Sequence, residues 1–263
     1  MDALGELAKE AGELSSHLAS QYVFGSGAFG LTNYTVWMVI CMVLVILVVV
    51  LASRRLTTVP KNKFVNLVEY GYQFIRNGVA EEVIGHGFKK HVPFLATLFF
   101  FIVISNFVGL VPGCKTPTGT ISVTWVLSLV SFGYFVIQGI KTHGGWGYIK
   151  SLAPSGLPGF MVPIIWVLEL VSTLVRALTL AVRLYGNMFA GHMVLGIFSI
   201  AASLFIGAAI TNLSTDFIMA LPGVLWLVLL MAMYLLEMLV AFLQAYIFTI
   251  LSAVYISLAT SDH

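Results

Sequence analysis

Five charged, amide or imidazole side chains lie inside one apolar stretch of the sequence, between positions 169 and 192. They are a carboxylate (Glu169), two guanidinium groups (Arg176 and Arg183), an amide (Asn187) and an imidazole (His192). The first three follow one another at intervals of seven residues, and the amide comes four residues after the second arginine. At 3.6 residues per turn, these intervals place the four groups on nearly one stripe of a helix. A charge at bilayer depth costs roughly 2.5–3.5 kcal/mol on insertion scales, so such groups usually mark an ion path or a binding site.

A second polar pair, Glu237 and Gln244, recurs at a seven-residue interval in the last apolar run of the chain. Arginine stays protonated in proteins, so Arg183 cannot carry a proton by releasing it. It can hold a nearby carboxylate ionised, and it can repel protons and other cations. The groups that can take and release protons are Glu169, His192 and Glu237, whereas Asn187 and Gln244 can order water.

The order of these groups along two antiparallel helices predicts their depth. Glu169 would lie toward the inside, Arg183 near the middle, and His192 about 13 Å further out, nine residues on. Glu237 and Gln244 would lie on the helix that runs back. An inner acid, a fixed central charge and an outer His/Glu pair indicate two proton paths interrupted by a charge.

Simpler interpretations remain open for single residues. Glu169 and Arg176 can pair for packing alone, since intramembrane charges usually pair. His192, taken alone, is more typical of a helix–helix hydrogen bond, which is also the role expected of Asn106. The small residues near Arg183 suit plain helix packing and equally the close approach of a partner helix.

Composition indicates a membrane protein. Of the 263 residues, 59% are hydrophobic and only 9% are charged, against about 25% charged in soluble domains. The net charge of +2 gives no reason to expect a nucleic-acid partner. The two cysteines and the histidines show no metal-ligand spacing, and we expect neither a metal nor another cofactor. Residues 1–33 lack the pattern of a secretory signal and are interpreted as an extension.

Hydrophobic runs predict three ordinary spans within residues 34–158, at about Val36–Ser53, Val92–Val111 and Val123–Ile140. Between the first two, residues 61–90 carry apolar side chains at helical spacing, which favours an amphipathic helix in the membrane interface. An ordinary helix facing the aqueous phase remains the alternative for this segment.

Residues 159–263 contain two apolar runs too long for simple spans. The first, Met161–Ile210, would form a helix of about 75 Å against a hydrocarbon core of about 30 Å. It is either two spans with a hidden turn or one long, steeply tilted helix. No proline falls between Ile164 and Ile210, which favours the long helix. The second run, Phe217–Leu258, follows a short turn, so the pair predicts an antiparallel hairpin.

Orientation follows from the basic residues. Seven of the thirteen Lys and Arg lie between the first two spans, and the connector at 141–158 holds two more. The positive-inside rule therefore puts the N-terminus outside, and five crossings put the C-terminus inside. The fold class expected is an all-α polytopic membrane protein with about five crossings, one interfacial helix and two long, tilted helices.

Three segments together resemble a known family. They read ISNFVGLVPG, LVRALTLAVRLYGNMFAGH and LLEMLVAFLQAYIFTILSAVYI. The last two closely resemble the signature helices of subunit a of F-type ATP synthases, and the likeness extends from about Tyr34 to Leu258. In that family, subunit a is a non-catalytic stator beside a rotating ring of c subunits, and two offset half-channels carry protons to and from the ring.

The resemblance implies roles for individual residues. Arg183 matches the essential arginine between the half-channels, and Glu169 matches an acidic position on the inner side. The polar positions of the outer half-channel are matched by Asn187, His192, Glu237 and Gln244. Arg176 is found in only part of the family and is auxiliary. The partners implied are the c-ring, peripheral-stalk b subunits, the lipid bilayer and protons. The lack of a recognisable targeting peptide favours a bacterial cell membrane as the location.

Three functions of other classes are alternatives to this one. A secondary transporter of a small anion could use a buried arginine, but such folds usually have two similar halves and broken helices, and neither is evident. A membrane hydrolase would need a motif such as H-E-x-x-H, which the sequence lacks. A purely structural subunit would not explain costly charges along one stripe.

Overall fold

The computed structural model describes residues 22–24, 31–54, 62–111, 113–151, 161–211 and 221–260. Within these ranges the chain is helical except for loops and one short antiparallel pairing of β1 (Tyr22–Phe24) with β2 (Leu31–Thr32). Five of the described helices are long and apolar enough to cross a membrane. The prediction of an all-α polytopic membrane protein is confirmed.

Three helices are of ordinary spanning length. They are α1 (Asn33–Arg54), α4 (Val92–Gly109) and α5 (Ile121–His143). Each lies within one turn of its predicted bounds, because a long apolar run leaves little choice about where a span begins and ends. The connector that follows continues into a short helix, α6 (Gly145–Ser151), and the rest of it lies outside the described residues.

The segment predicted as an interfacial helix over 61–90 is helical but interrupted. It comprises α2 (Lys63–Ile75), a π-helical turn (Arg76–Glu81), α3 (Glu82–Ile84) and a 3₁₀ turn (Phe88–Lys90). The Asn62 side chain caps the start by accepting the Phe64 N–H at 3.1 Å. The helix stops at Gly85, whose φ of +70° suits glycine alone. Its position in the membrane interface stays a prediction.

The two long runs form α7 (Val162–Thr211, 50 residues) and α8 (Leu221–Thr260, 40 residues). The first run therefore forms one long helix, as predicted, and not two spans joined by a hidden turn. The turn between the helices, with Asn212 and Asp216, lies outside the described residues.

Contacts along α7 and α8 show that the two helices are antiparallel. Phe205 stacks on Trp226, with ring centroids 5.9 Å apart, near the end where the two helices connect. Gly191 lies against Glu237 further along, and the Arg176 guanidinium lies 5.8 Å from the Tyr255 ring centroid. From one contact to the next, the residue numbers decrease along α7 and increase along α8, so the predicted antiparallel hairpin is confirmed.

The shorter helices brace this hairpin through buried polar contacts. Asn106 of α4 donates to the Ala241 carbonyl of α8 at 3.1 Å, which confirms its expected role as a helix–helix hydrogen bonder. On α5, Ser131 bonds Ser252 at 2.8 Å, and Ser128 donates to the Ala177 carbonyl of α7. The apolar core lies between α4 and the second half of α8, around Ile102 and Phe248.

Candidate functional site

The Glu169 end of the hairpin holds an ion pair. One guanidinium nitrogen of Arg176 lies 2.9 Å from Glu169 Oε1, so the two side chains form an ion pair. The guanidinium also lies over the Tyr255 ring, within the range of a cation–π contact. About a third of each charged side chain is exposed, 29% for Arg176 and 39% for Glu169. The Glu169–Arg176 ion pair is therefore fixed against Tyr255, and both charged side chains remain partly exposed.

Tyr148 of α6 approaches this pair from the connector. A Cβ at Gly139 would overlap its ring, so the glycine is what lets α6 fold back on α5. Burial raises the pKa of the Tyr148 phenol, while Arg176 lowers it and Glu169 raises it by smaller amounts. The phenol therefore stays neutral near the pair.

Arg183 has a different environment one heptad further along α7. Its side chain is exposed, and within the described part of the chain it makes no hydrogen bond or ion pair. Gly186 and Ala190 lie on the same exposed stripe, and a Cβ added at Gly186 would meet nothing within 4 Å. This face presents a charge beside small residues, with room for another helix.

Two amides lie near the level of Arg183 in the hairpin. Asn187 is half-buried, one turn beyond Arg183, and Gln244 is buried on α8 with 5% of its surface exposed. Because Gly191 lies against Glu237, the antiparallel register puts Gln244 opposite the turn that carries Arg183 and Asn187. The predicted polar positions of the two helices thus fall at matching levels.

His192 makes a contact that sequence spacing did not reveal. Its Nε2 lies 2.6 Å from Thr116 Oγ1, in the loop after α4, and Thr116 is only 2% exposed. A Cβ at Gly109 would overlap the Thr116 side chain and would lie 3.1 Å from His192 Nε2. The two hydrogen-bonded residues are 76 positions apart, so no periodic pattern could have paired them.

A cavity of about 290 Å³ opens at the His192 end. Its polar lining comes from α1, the loop after α4, α7 and α8, and includes Tyr34, Lys115, Thr116, His192, Ser199 and Tyr234. The Lys115 ammonium lies 6.0 Å from the Tyr34 ring centroid, at the edge of a cation–π contact. We call this space the His192 cavity. It is large enough to hold several waters, because one water takes about 30 Å³ of liquid volume.

Glu237 lies at the same end but makes no hydrogen bond to His192. It is 4% exposed, and its Oε1 has no hydrogen-bond partner among the described residues. Its carboxylate packs on the backbone of Gly191, where a Cβ would overlap it. Gly191, the residue before His192, therefore touches Glu237, which places the acid beside the same turn of α7. The predicted His192–Glu237 pair stays a prediction. A buried carboxylate oxygen without a hydrogen-bond partner is energetically costly, which makes Glu237 a candidate for contact with water.

Side chains that could bind a metal do not cluster in the described part of the chain. Within those ranges, no three His, Cys, Asp or Glu side chains come together as a metal site would require. Cys41 and Cys114 are both free thiols.

The described polar groups thus form an ion pair at one end, an exposed arginine in the middle, and a cavity large enough for water with a buried acid at the other end. The family model described as ATP synthase A chain matches residues 35–257. The chain belongs to the ATP synthase A chain family. Two bacterial relatives, each named ATP synthase subunit a, agree over nearly the whole length. The protein from Nocardioides sp. is 37% identical over 245 residues, covering 91% of this chain and 86% of the relative.

The second relative, from Brucella ovis, is 36% identical over 227 residues, covering 86% of this chain and 87% of the relative. Members of the ATP synthase A chain family are membrane subunits of a multi-subunit complex, and the five apolar helices suit that place. ATP synthesis and ion transport follow as the processes this chain serves. The family favours this function over the secondary anion transporter that the sequence left as an alternative.

Proposed function

We propose that the chain is the stator proton-channel subunit of an F-type ATP synthase, with no catalytic activity of its own. Two offset half-channels would meet at Arg183 and couple transmembrane proton flow to rotation of a c-ring. The observation that carries the proposal is the exposed guanidinium of Arg183, which has no partner in the described chain and lies on a face lined by small residues. Because intramembrane charges usually pair, we expect a carboxylate on another subunit to pair with Arg183.

The outer half-channel would begin at the His192 cavity. Water in the cavity reaches His192, and the buried Glu237 lies behind Gly191 as the next group able to take a proton. Asn187 and Gln244 would order water between Glu237 and the level of Arg183. Each can both donate and accept hydrogen bonds, as a water chain requires.

The inner half-channel would open at the Glu169 end. Glu169 is accessible enough to exchange protons with water, and its ion pair with Arg176 keeps its carboxylate oriented. Arg176 is the auxiliary residue here, because its charge is already compensated by Glu169. Its contact with Tyr255 fixes the pair against α8.

Arg183 would keep the two paths apart. A permanent cation stabilises an ionised ring carboxylate that passes it, and it repels a proton moving directly from one path to the other. Protons would therefore cross only by travelling on the ring, which is what converts flow into rotation. The partners in this proposal are the c-ring, the b subunits of the peripheral stalk, the lipid bilayer and protons.

The proposed location is a bacterial cell membrane, crossed five times. The N-terminus would lie outside and the C-terminus in the cytoplasm, which puts the His192 end outside and the Glu169 end inside. The supports are the bacterial relatives and the basic residues gathered between the first two spans.

Substitution of Arg183 tests the proposal. In inverted membrane vesicles, Arg183→Ala should reduce ATP-driven proton pumping and proton-driven ATP synthesis to background, in a complex that still assembles. Arg176→Ala is the matched control, because it removes the same side chain from the same helix one heptad away. It should lower the rate without abolishing it, since Glu169 can still exchange protons.

Two results would contradict the proposal. Coupled pumping near the wild-type rate in an assembled Arg183→Ala complex would make Arg183 a structural residue and would overturn the mechanism. Uptake of a small anion that needs Arg183 and no other subunit would instead support the transporter.

A further inference from the structure

We infer that Thr116 is a positioning residue of the outer proton path, which holds the His192 imidazole through a hydrogen bond to Nε2. The inference rests on the proposed function, since it gives His192 a fixed partner on that path. It adds a residue from the loop after α4 to a set that otherwise comes from the two long helices.

The contact itself is short and buried. Thr116 Oγ1 and His192 Nε2 are 2.6 Å apart, and Thr116 is 2% exposed. A hydroxyl can both donate and accept, so it bonds the ring in either protonation state. A neutral Nε2 accepts the hydroxyl hydrogen, whereas a protonated Nε2–H donates to the hydroxyl oxygen. The ring thus keeps its orientation while a proton arrives and leaves, and no bond within Thr116 has to break.

The loop is built to deliver this hydroxyl. The Gly119 N–H donates to the Thr116 carbonyl at 3.0 Å, closing a 3₁₀ turn directly after Thr116. Two residues on, Thr118 donates to Asn106 Oδ1 at 2.7 Å, and Asn106 is itself bonded to α8. The loop is therefore anchored to the α4–α8 interface, so Thr116 is positioned before any proton arrives.

Gly109 leaves the space in which the two side chains meet. A Cβ at that position would overlap the Thr116 hydroxyl and crowd His192 Nε2. The absence of a side chain on the last residue of α4 is thus what permits the hydrogen bond.

The pair also lies where protons would enter. Thr116 and His192 both line the His192 cavity. The charged and titratable groups around His192 are Lys115 and Cys114 in the same loop, Tyr34 of α1, and Tyr234 and Glu237 of α8. Thr97 of α4, by contrast, is exposed and donates to the Pro93 carbonyl of its own helix at 2.7 Å, outside the residues that line the cavity.

Thr116 and Thr97 therefore provide a matched comparison. Thr116→Val removes the hydroxyl that meets His192, Thr116→Ser keeps it, and Thr97→Val removes a hydroxyl that contacts neither His192 nor the loop. ATP-driven proton pumping would be measured in inverted vesicles and divided by the amount of assembled complex. If Thr116→Val does not assemble, Thr116→Ala removes the same hydroxyl without placing a methyl group at its position.

Loss of the Thr116 hydroxyl should slow proton pumping by a measurable factor. Pumping per complex should fall by about tenfold in Thr116→Val, as when a buried polar group loses its hydrogen-bond partner. It should stay within about twofold of wild type in Thr116→Ser and Thr97→Val. The double variant Thr116→Val/His192→Ala should pump no more slowly than His192→Ala alone, because the hydroxyl acts through the imidazole.

Four outcomes would overturn the inference. One is a wild-type rate in Thr116→Val although His192→Ala is impaired; this rejects the role of Thr116 and leaves the proposed function standing. Two others are a Thr116→Ser rate as low as that of Thr116→Val and losses that add in the double variant. The last is a wild-type rate in His192→Ala, which rejects the proposed role of His192 and the inference with it.

Discussion

Two arginines one heptad apart on α7, Arg176 and Arg183, have the same side chain in different surroundings. Arg176 is held by Glu169 and Tyr255, whereas Arg183 is exposed and meets no partner in the described chain. Their spacing placed both on one stripe but could not tell which was compensated, because the distinction depends on α8 and on the direction of each side chain. The role proposed for Arg183 therefore depends on its lack of a partner in the described chain as well as on its charge.

His91, one residue before α4, is a buried histidine outside the proposed proton path. It is 1% exposed, and its Nδ1 lies 3.1 Å from the Tyr134 hydroxyl. Burial lowers the pKa of His91 to about 4 from its usual 6.5, with a further contribution from the positive charge of Lys90. The folded protein therefore keeps this imidazole neutral at pH values where the unfolded chain would protonate it.

The pH dependence of stability follows from that difference. The stabilisation associated with a neutral His91 is fully present above about pH 6.5 and is lost as the pH falls toward 4, because protons bind the unfolded chain first. We expect the midpoint of thermal unfolding to fall over this range, and to fall less in His91→Gln. His86→Gln, which alters an exposed histidine nearby, should keep the wild-type dependence. Equal pH dependence in wild type and His91→Gln would contradict this account.

At the scale of elements, the α7–α8 hairpin depends on close approach at Gly191. A Cβ there would overlap the Glu237 carboxylate, so Gly191→Ala must push the helices apart or displace the acid. We expect a loss of about 1–3 kcal/mol in the stability of the chain, the usual cost of overpacking, together with slower proton pumping. Thermal unfolding of the purified complex and pumping in vesicles would measure the two effects.

Gly207→Ala is the control for that substitution. Gly207 is a helical glycine of the same helix whose added Cβ would meet nothing within 4 Å. It should leave stability unchanged or raise it slightly, since alanine favours a helix over glycine. Equal effects of the two substitutions would mean that helix propensity, rather than the Glu237 contact, sets the result.

The elements were predictable where a single local property decides them. Apolar length gave all five spans, and the absence of proline favoured an unbroken α7, which is observed as one helix from Val162 to Thr211. The stop at Gly85 and the π-helical turn before it were not predicted. The turn places Val79 and Ala80 in the core with residues of α4 and α8, and helical spacing within the segment carries no information about such distant contacts. The Thr116–His192 bond was missed for a related reason: a hydrogen bond between distant positions leaves no periodicity in the sequence.

At the scale of the whole molecule, an odd number of spans puts the two ends of the chain on opposite sides of the membrane. The excess of Lys and Arg between the first two spans predicts which end lies outside. In a variant with Cys41→Ala and Cys114→Ser, a cysteine at Ser15→Cys should react with a membrane-impermeant maleimide in intact spheroplasts. One at Ser261→Cys should react only in inverted vesicles. Labelling of both from the same side would refute the five-span topology.

The length of α7 has a consequence for the membrane voltage. A 50-residue helix is about 75 Å long, and to stay within a bilayer of about 45 Å its axis must lie at least about 53° from the membrane normal. Each residue then advances no more than about 0.9 Å in depth, so Arg183 and His192 differ in depth by about 8 Å or less, although they are about 13 Å apart along the helix axis. On the proposed route, a proton moving between those levels would cross about a quarter of the voltage, or about 0.6 kcal/mol at 100 mV. Most of the electrical work on each proton would therefore be done elsewhere along that route.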